Sequence, residues 1–181
     1  MSEAIQAPNA AAYPPAWGQA QTKTVTWFWP EELRRTFESM TGLEVLQGVI
    51  DGRFPPPPAA GVAELRLVSV AKGEAVFRFR PDQSWLNPHG AVHGGVLFTA
   101  MDSAIGCAVL TETDVTRPYL TIELKLSFFK PMSYDGTEVE VRGRTQRVGR
   151  KVAFAEAHAY DAGGTLLGHA TSSLAAVNRV A

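Results

Sequence analysis

The sequence predicts an α+β domain, one long buried helix wrapped by a curved antiparallel sheet of about six strands. Three observations carry that prediction. Residues 93 to 113 hold no proline and begin with glycines. They spread Val96, Leu97, Ala100, Met101, Ala104, Ile105, Ala108 and Val109 over most of a helix circumference, as in a helix surrounded by protein. Four alternating segments follow, Tyr119 to Phe129, Thr137 to Val148, Lys151 to Tyr160 and Thr165 to Val177. Turn signals separate them at Asp135-Gly136, Gly149 and Asp161-Ala162-Gly163-Gly164, the pattern of an antiparallel meander with hairpin-length connections. Finally, Ala153, Ala155, Ala157 and Ala159 share one parity of the third segment, and Gly168, Ala170 and Ser172 one parity of the fourth. Small side chains on one face let a sheet close around a cylinder.

The front of the chain is built differently. Nine of the twelve prolines lie in the first 81 residues, four of them in the run Pro55 to Pro58, which reads as an extended polyproline connection. Residues 1–25, rich in Ala, Pro and Gln, read as a poorly ordered arm. Residues 26–61 read as a helical extension: Pro30 and Glu31-Glu32 open a helix with Leu33, Phe37 and Met40 on one face. Gly42 then breaks it before a second apolar set at Leu43, Leu46 and Ile50. The cluster Trp27, Phe28 and Trp29 suits a hydrophobic anchor to the body or to a partner subunit, or a lid over a ligand. From Val62 the period becomes two, with Leu65, Leu67 and then Val76, Phe77 and Phe79 flanking a turn at Lys72-Gly73, so 62–181 is read as the main domain.

Composition narrows the function classes. With 17 Lys and Arg against 18 Asp and Glu, the net charge of −1 provides no broad positive field for nucleic acid or an anionic membrane. No apolar stretch approaches the roughly 18 to 20 residues that span a bilayer, and the first residues lack the basic and apolar regions of an export signal. Cys107 is the single cysteine and can form neither an internal disulfide nor a Cys-based metal site. These features predict a cytoplasmic protein.

Asp102 is the only acid or base between Gly94 and Leu110, the thiol aside. A carboxylate on a buried helix costs several kcal/mol unless a partner or a function retains it. Positions i±3 and i±4 hold Phe98, Thr99, Ile105 and Gly106, so no local cation pairs with it. It is either held by the sheet or a subunit partner, or kept for chemistry. The segment Asn87-Pro88-His89-Gly90-Ala91-Val92-His93-Gly94-Gly95 leads into the helix, and its glycines leave backbone N–H groups open at the positive end of the helix dipole. Such donors stabilise the oxyanion of an acyl transfer. Eight residues separate Gly94 from Asp102, about 12 Å of rise, so an oxygen bound at Gly94 does not touch Asp102 of the same chain, and two copies would combine.

A carboxylate and a donor suffice for a thioester, because a thiol with a pKa of about 8.5 leaves with little acid assistance. Ser103 neighbours Asp102, but no G-x-S-x-G elbow is present. His89 and His93 are spaced i, i+4 but straddle glycines and lack the Glu of a zinc-protease helix, so no metal is expected.

The stretch NPHGAVHGGVLFTAMDSAIG, followed by TIELKLSFFKP, resembles the phenylacetyl-CoA (PaaI-like) branch of the hotdog-fold acyl-CoA thioesterases over about residues 62 to 177. The resemblance implies a hotdog fold and hydrolysis of an acyl-CoA to a free acid and CoA without a cofactor. It also implies a homodimer with two interfacial sites, and pairing of dimers into a homotetramer. It makes Asp102 the general base or nucleophile, Gly94 the backbone donor and Asn87 the positioning amide. His93 belongs to the same motif, and Thr121 becomes a hydroxyl supplied by the other subunit. Strict alternation, however, puts Thr121 on the polar parity with Glu123, Lys125 and Ser127, where a β-branched residue needs no chemical role. For CoA the resemblance implies Gly95, Lys130 and Pro131 together with Arg147, Gly149, Arg150 and Lys151, a phosphate clamp or else solvated hairpin charges. The rivals are a non-catalytic acyl-CoA sensor and a hotdog hydratase or dehydratase, which would need its His placed as a base.

Overall fold

The computed structural model describes residues 13–28 and 33–177, the Arg34 side chain apart. The alternating segments all form strands: β1 Arg66–Ala71, β2 Glu74–Phe79, β3 Tyr119–Phe128, β4 Val139–Val148, β5 Val152–Tyr160 and β6 Leu166–Ala176. They make one antiparallel sheet in the order β1-β2-β4-β5-β6-β3. The four later strands are therefore not a continuous meander. β4, β5 and β6 run as consecutive hairpins, but β3 pairs only with β6, and β2 occupies the other edge of β4. The chain leaving β3 passes Pro131, and the Phe129 and Lys130 N–H groups both donate to the Leu167 carbonyl, which carries it across the end of the sheet instead of into a hairpin.

The long helix α4, Gly94–Leu110, follows α1 Arg34–Phe37, α2 Gly42–Ile50 and α3 Pro58–Val62. It lies against the concave face of the sheet. Ala153, Ala155, Ala157 and Ala159 of β5 and Ala170 and Leu174 of β6 are buried in the core with Leu97, Met101 and Ile105 of α4. Gly143 of β4 lies where a Cβ would collide with the Ala104 carbonyl, so the approach of sheet to helix depends on its missing side chain. The sheet is thus the hotdog wrap, yet within one chain it does not enclose the helix. Phe98 is 43% exposed, and Asp102, Ser103 and Gly106 are only half-buried, so one side of α4 is left uncovered.

In the front segment, α2 begins with a capping box in which Thr41 Oγ1 accepts from the Glu44 N–H at 3.2 Å and Glu44 Oε2 accepts from the Thr41 N–H at 2.8 Å. Gly42, expected as a break, is instead the first helical residue, packed on the Leu110 carbonyl at the far end of α4. The proline run is not wholly extended either. Pro58 starts α3, because a proline ring fixes φ near the helical value at a position that needs no N–H. The expected opening of the first helix at Pro30 and Glu31-Glu32, and Trp29, lie outside the described residues, as do residues 1–12 of the expected arm. Trp27 and Phe28 are 57% and 58% exposed, so burial against the body does not anchor them. What ties this part of the chain down is Lys23, whose Nζ lies 2.6 Å from Asp82 and 2.9 Å from Glu64.

Candidate active site

The loop between β2 and α4 closes on itself before it reaches the helix. Asp82 caps a single turn over Gln83–Trp85, and the Trp85 carbonyl accepts the His93 N–H at 2.7 Å. Inside that closure the Asn87 N–H donates to the Ala91 carbonyl at 2.8 Å, while Asn87 Oδ1 accepts from the His89 and Ala91 N–H groups at 2.9 and 3.1 Å. The carboxamide oxygen is thus committed to the loop. Its NH2 donates to no acceptor among the described residues.

At the entrance to α4, His93 is the N-cap, and its Nδ1 accepts from the Gly95 N–H at 2.9 Å. That bond occupies the Gly95 N–H and commits His93 Nδ1 to capping the helix, an orienting role. The Gly94 N–H, by contrast, has no acceptor among the described residues. The Phe128 ring covers the Gly94 Cα where a side chain would otherwise stand. A cavity of about 420 Å³ opens beside this N–H, lined by Val92, Gly94, Phe128, Phe129, Lys130, Pro131 and Met132. The sequence reading missed Phe128 and Met132, although Phe128-Phe129 directly precedes the Lys130-Pro131 pair.

Further along α4, Asp102 Oδ1 accepts the Thr121 hydroxyl at 2.7 Å. No cation among the described residues is within ion-pairing distance of Asp102, and the carboxylate is half-buried rather than walled in. Thr121 reaches it within the same chain, not from a second subunit. It does so because a bulge between Thr121 and Glu123 shifts the register of β3 on β6. Before the bulge Tyr119 and Thr121 face the helix; after it Leu124 and Leu126 do, packed against the core. Thr121 is therefore not on the face of Glu123 and Lys125. Cys107 lies five residues beyond Asp102, and burial and then the negative charge of Asp102 push its thiol up to about 12.

The expected CoA-binding residues separate into two groups. Lys130 and Pro131 lie by Gly94 and Phe128 at one end of β3. Arg147, Gly149, Arg150 and Lys151 lie at the other end, where the Gly149 carbonyl accepts the Tyr119 hydroxyl at 2.7 Å and the Lys151 carbonyl accepts the Ala176 N–H. The length of β3, about 30 Å at 3.3 Å per residue, stands between them. Asp102 and Thr121 share the hairpin end, whereas Gly94 and Asn87 share the Lys130 end. Among the described residues no three His, Cys, Asp or Glu side chains gather as a metal site, and no helix is long and apolar enough to cross a membrane.

The sequence profile of the thioesterase superfamily matches residues 89–167, which takes in Gly94, Asp102, Thr121, Lys130 and the hairpin cations. A Saccharolobus solfataricus protein provisionally named an esterase is 32% identical over 103 residues, 57% of this chain and 71% of that protein. The chain belongs to the thioesterase superfamily. Among solved structures, the thioesterase resembles a Ralstonia eutropha JMP134 protein provisionally named a thioesterase related to phenylacetic acid degradation. The TM-score is 0.65 at 25% identity, over 72% of this chain and 98% of that one. A Streptococcus mutans UA159 protein solved with acetyl CoA bound shares the fold, with a TM-score of 0.58 at 20% identity over 65% of this chain and 91% of the other. The chain is a hotdog-fold thioester hydrolase of the PaaI-like type.

Proposed function

We propose that this thioesterase hydrolyses acyl-CoA esters to a carboxylic acid and CoA in a site shared by two copies of the chain. The observation that carries the reading is the division of the machinery between the two ends of β3. β3 is an edge strand with Leu120, Ile122 and Phe128 exposed, Ile122 at 62%, and Phe129 exposed just beyond its end. An unpaired apolar edge is a template for another strand. Antiparallel pairing of two β3 strands about a two-fold axis lays the start of one beside the end of the other. Asp102 and Thr121 of one chain then meet Gly94, Asn87 and Lys130 of the second, which resolves the 12 Å separation along one helix. Covering the open side of α4, including Phe98, is part of the same association. The acetyl CoA bound to the Streptococcus mutans relative supports the choice of CoA as the leaving group.

In the proposed reaction the thioester oxygen accepts from the Gly94 N–H and the Asn87 amide. Thr121 fixes one oxygen of Asp102, leaving Oδ2 to take a proton from attacking water; attack by the carboxylate itself is the alternative route. Collapse of the tetrahedral intermediate breaks the C–S bond and releases the thiolate, which takes up a proton. No cofactor is required, because the thiol leaves readily. Lys130 from one chain and Arg147, Arg150 and Lys151 from the other, brought together by the same pairing, hold the phosphates.

Asp102→Asn removes the base and nucleophile but preserves shape. It is expected to lower thiol release by at least about a thousandfold, on the scale of losing a group that acts in the transition state, with acyl-CoA binding by calorimetry nearly unchanged. Undiminished turnover in this variant would remove Asp102 from the mechanism.

A further inference from the structure

Lys23 links the segment preceding β1 to the active-site loop by a charged contact. Lys23 Nζ bonds Asp82 Oδ2 at 2.6 Å and lies 2.9 Å from Glu64 Oε2. The other Asp82 oxygen accepts from the Ser84 N–H at 2.8 Å and its hydroxyl at 2.5 Å, which closes the turn over Gln83–Trp85. From that turn the Trp85 carbonyl takes the His93 N–H, and His93 caps α4 beside the free Gly94 N–H. Asn87 sits within the same closure. Glu64, the second partner of Lys23, is the only non-glycine residue among those described with positive φ, at 53°. Such a backbone persists where its surroundings fix it, and here it stands directly under the ammonium group. The Lys23 hydrogen bond first, then those from Ser84, hold the Asp82 carboxyl down to about 2, so the contact stays charged at any pH suited to a thioester assay.

We propose that Lys23 is a positioning residue, a latch from the N-terminal segment that holds the Asp82 turn so that the Asn87 amide and the Gly94 N–H meet the substrate carbonyl in fixed geometry. This rests on the thioester-hydrolysis reading above. Donors that act on the developing oxyanion raise kcat when fixed, whereas CoA affinity depends on the cations at Lys130 and the hairpin. Loosening the latch therefore lowers kcat and spares KM.

The test compares Lys23→Met, Lys23→Arg, Asp82→Asn and the double variant Lys23→Met/Asp82→Asn by thiol-release kinetics, and follows exchange of the His93 amide by NMR. Lys23→Met is expected to lower kcat about fivefold, the scale of an exposed ion pair, with KM unchanged within about twofold. His93 amide exchange should quicken while β5 amides stay as protected as before. Lys23→Arg restores both readouts, and the double variant is no worse than the worse single one, since both break one contact. Unchanged kcat and His93 exchange in Lys23→Met overturn the latch, as do losses that multiply in the double variant. Absence of thiol release by the unsubstituted protein overturns the hydrolase reading instead, and the His93 exchange then decides the latch by itself.

Discussion

Thr121 donates its hydroxyl to the proposed base, and its replacement separates the bond from the packing around it. A hydrogen bond to a charged group contributes about 1.5–3 kcal/mol. Thr121→Val keeps the shape and removes the donor, so kcat for thiol release is expected to fall by about ten- to a hundredfold, while Thr121→Ser retains most of it. Steady-state kinetics on the two variants read the difference; equal losses would assign the effect to the methyl group and not to the hydroxyl. The residues around this bond show what a sequence displays at this scale. That the loop from Asn87 to Gly95 opens directly into the buried helix carrying Asp102 was legible, because spacing along one loop and helix translates directly into geometry. The face of Thr121 was not, since parity reverses at a bulge that no residue type announces. Nor was the occupation of the Gly95 N–H, which depends on the rotamer of the preceding imidazole.

Between elements, the contact that sets the fold's dimensions is β4 on α4 at Gly143. A methyl there meets the Ala104 carbonyl, backbone that cannot rotate aside, so Gly143→Ala must push strand and helix apart. Overpacking of this kind costs about 1–3 kcal/mol. A urea titration should show a lower midpoint with an unchanged slope, because the surface exposed on unfolding is the same; an unmoved midpoint would mean that the sheet yields freely at this point. The identity of the strands was legible in alternation and turns, but not their order. Pairing of β3 with β6 instead of β4 is a non-local choice, since β4 already has β2 on one edge and β5 on the other. The exposed side of α4 was hidden for a related reason. An all-round apolar helix has the same pattern whether its last side is covered by its own sheet or by another chain, and Phe98 shows that here its own sheet leaves it open.

For the whole molecule, the proposed sharing of sites leads to a test that no single-chain mechanism passes. Asn87→Asp keeps an oxygen to accept the His89 and Ala91 N–H groups but removes the NH2 donor, so the loop is retained and the oxyanion loses a partner. Asp102→Asn disables the opposite end of β3. Each homodimer of either variant carries two impaired sites. In a mixed dimer one site holds both lesions and the other holds none, because a two-fold axis pairs the Asp102 end of each chain with the Asn87 end of its partner. Random exchange places half of the molecules in mixed dimers with half of their sites intact. Mixing the two inactive proteins is therefore expected to recover about a quarter of the unsubstituted activity, at a rate set by subunit exchange. Ile122→Asp, which places a charge on the apolar edge, should prevent that recovery and yield monomers by sedimentation. If the mixture stays as inactive as its components while native mass spectrometry shows mixed dimers present, Asp102 and Asn87 serve one site within one chain, and the two-fold arrangement across β3 is wrong.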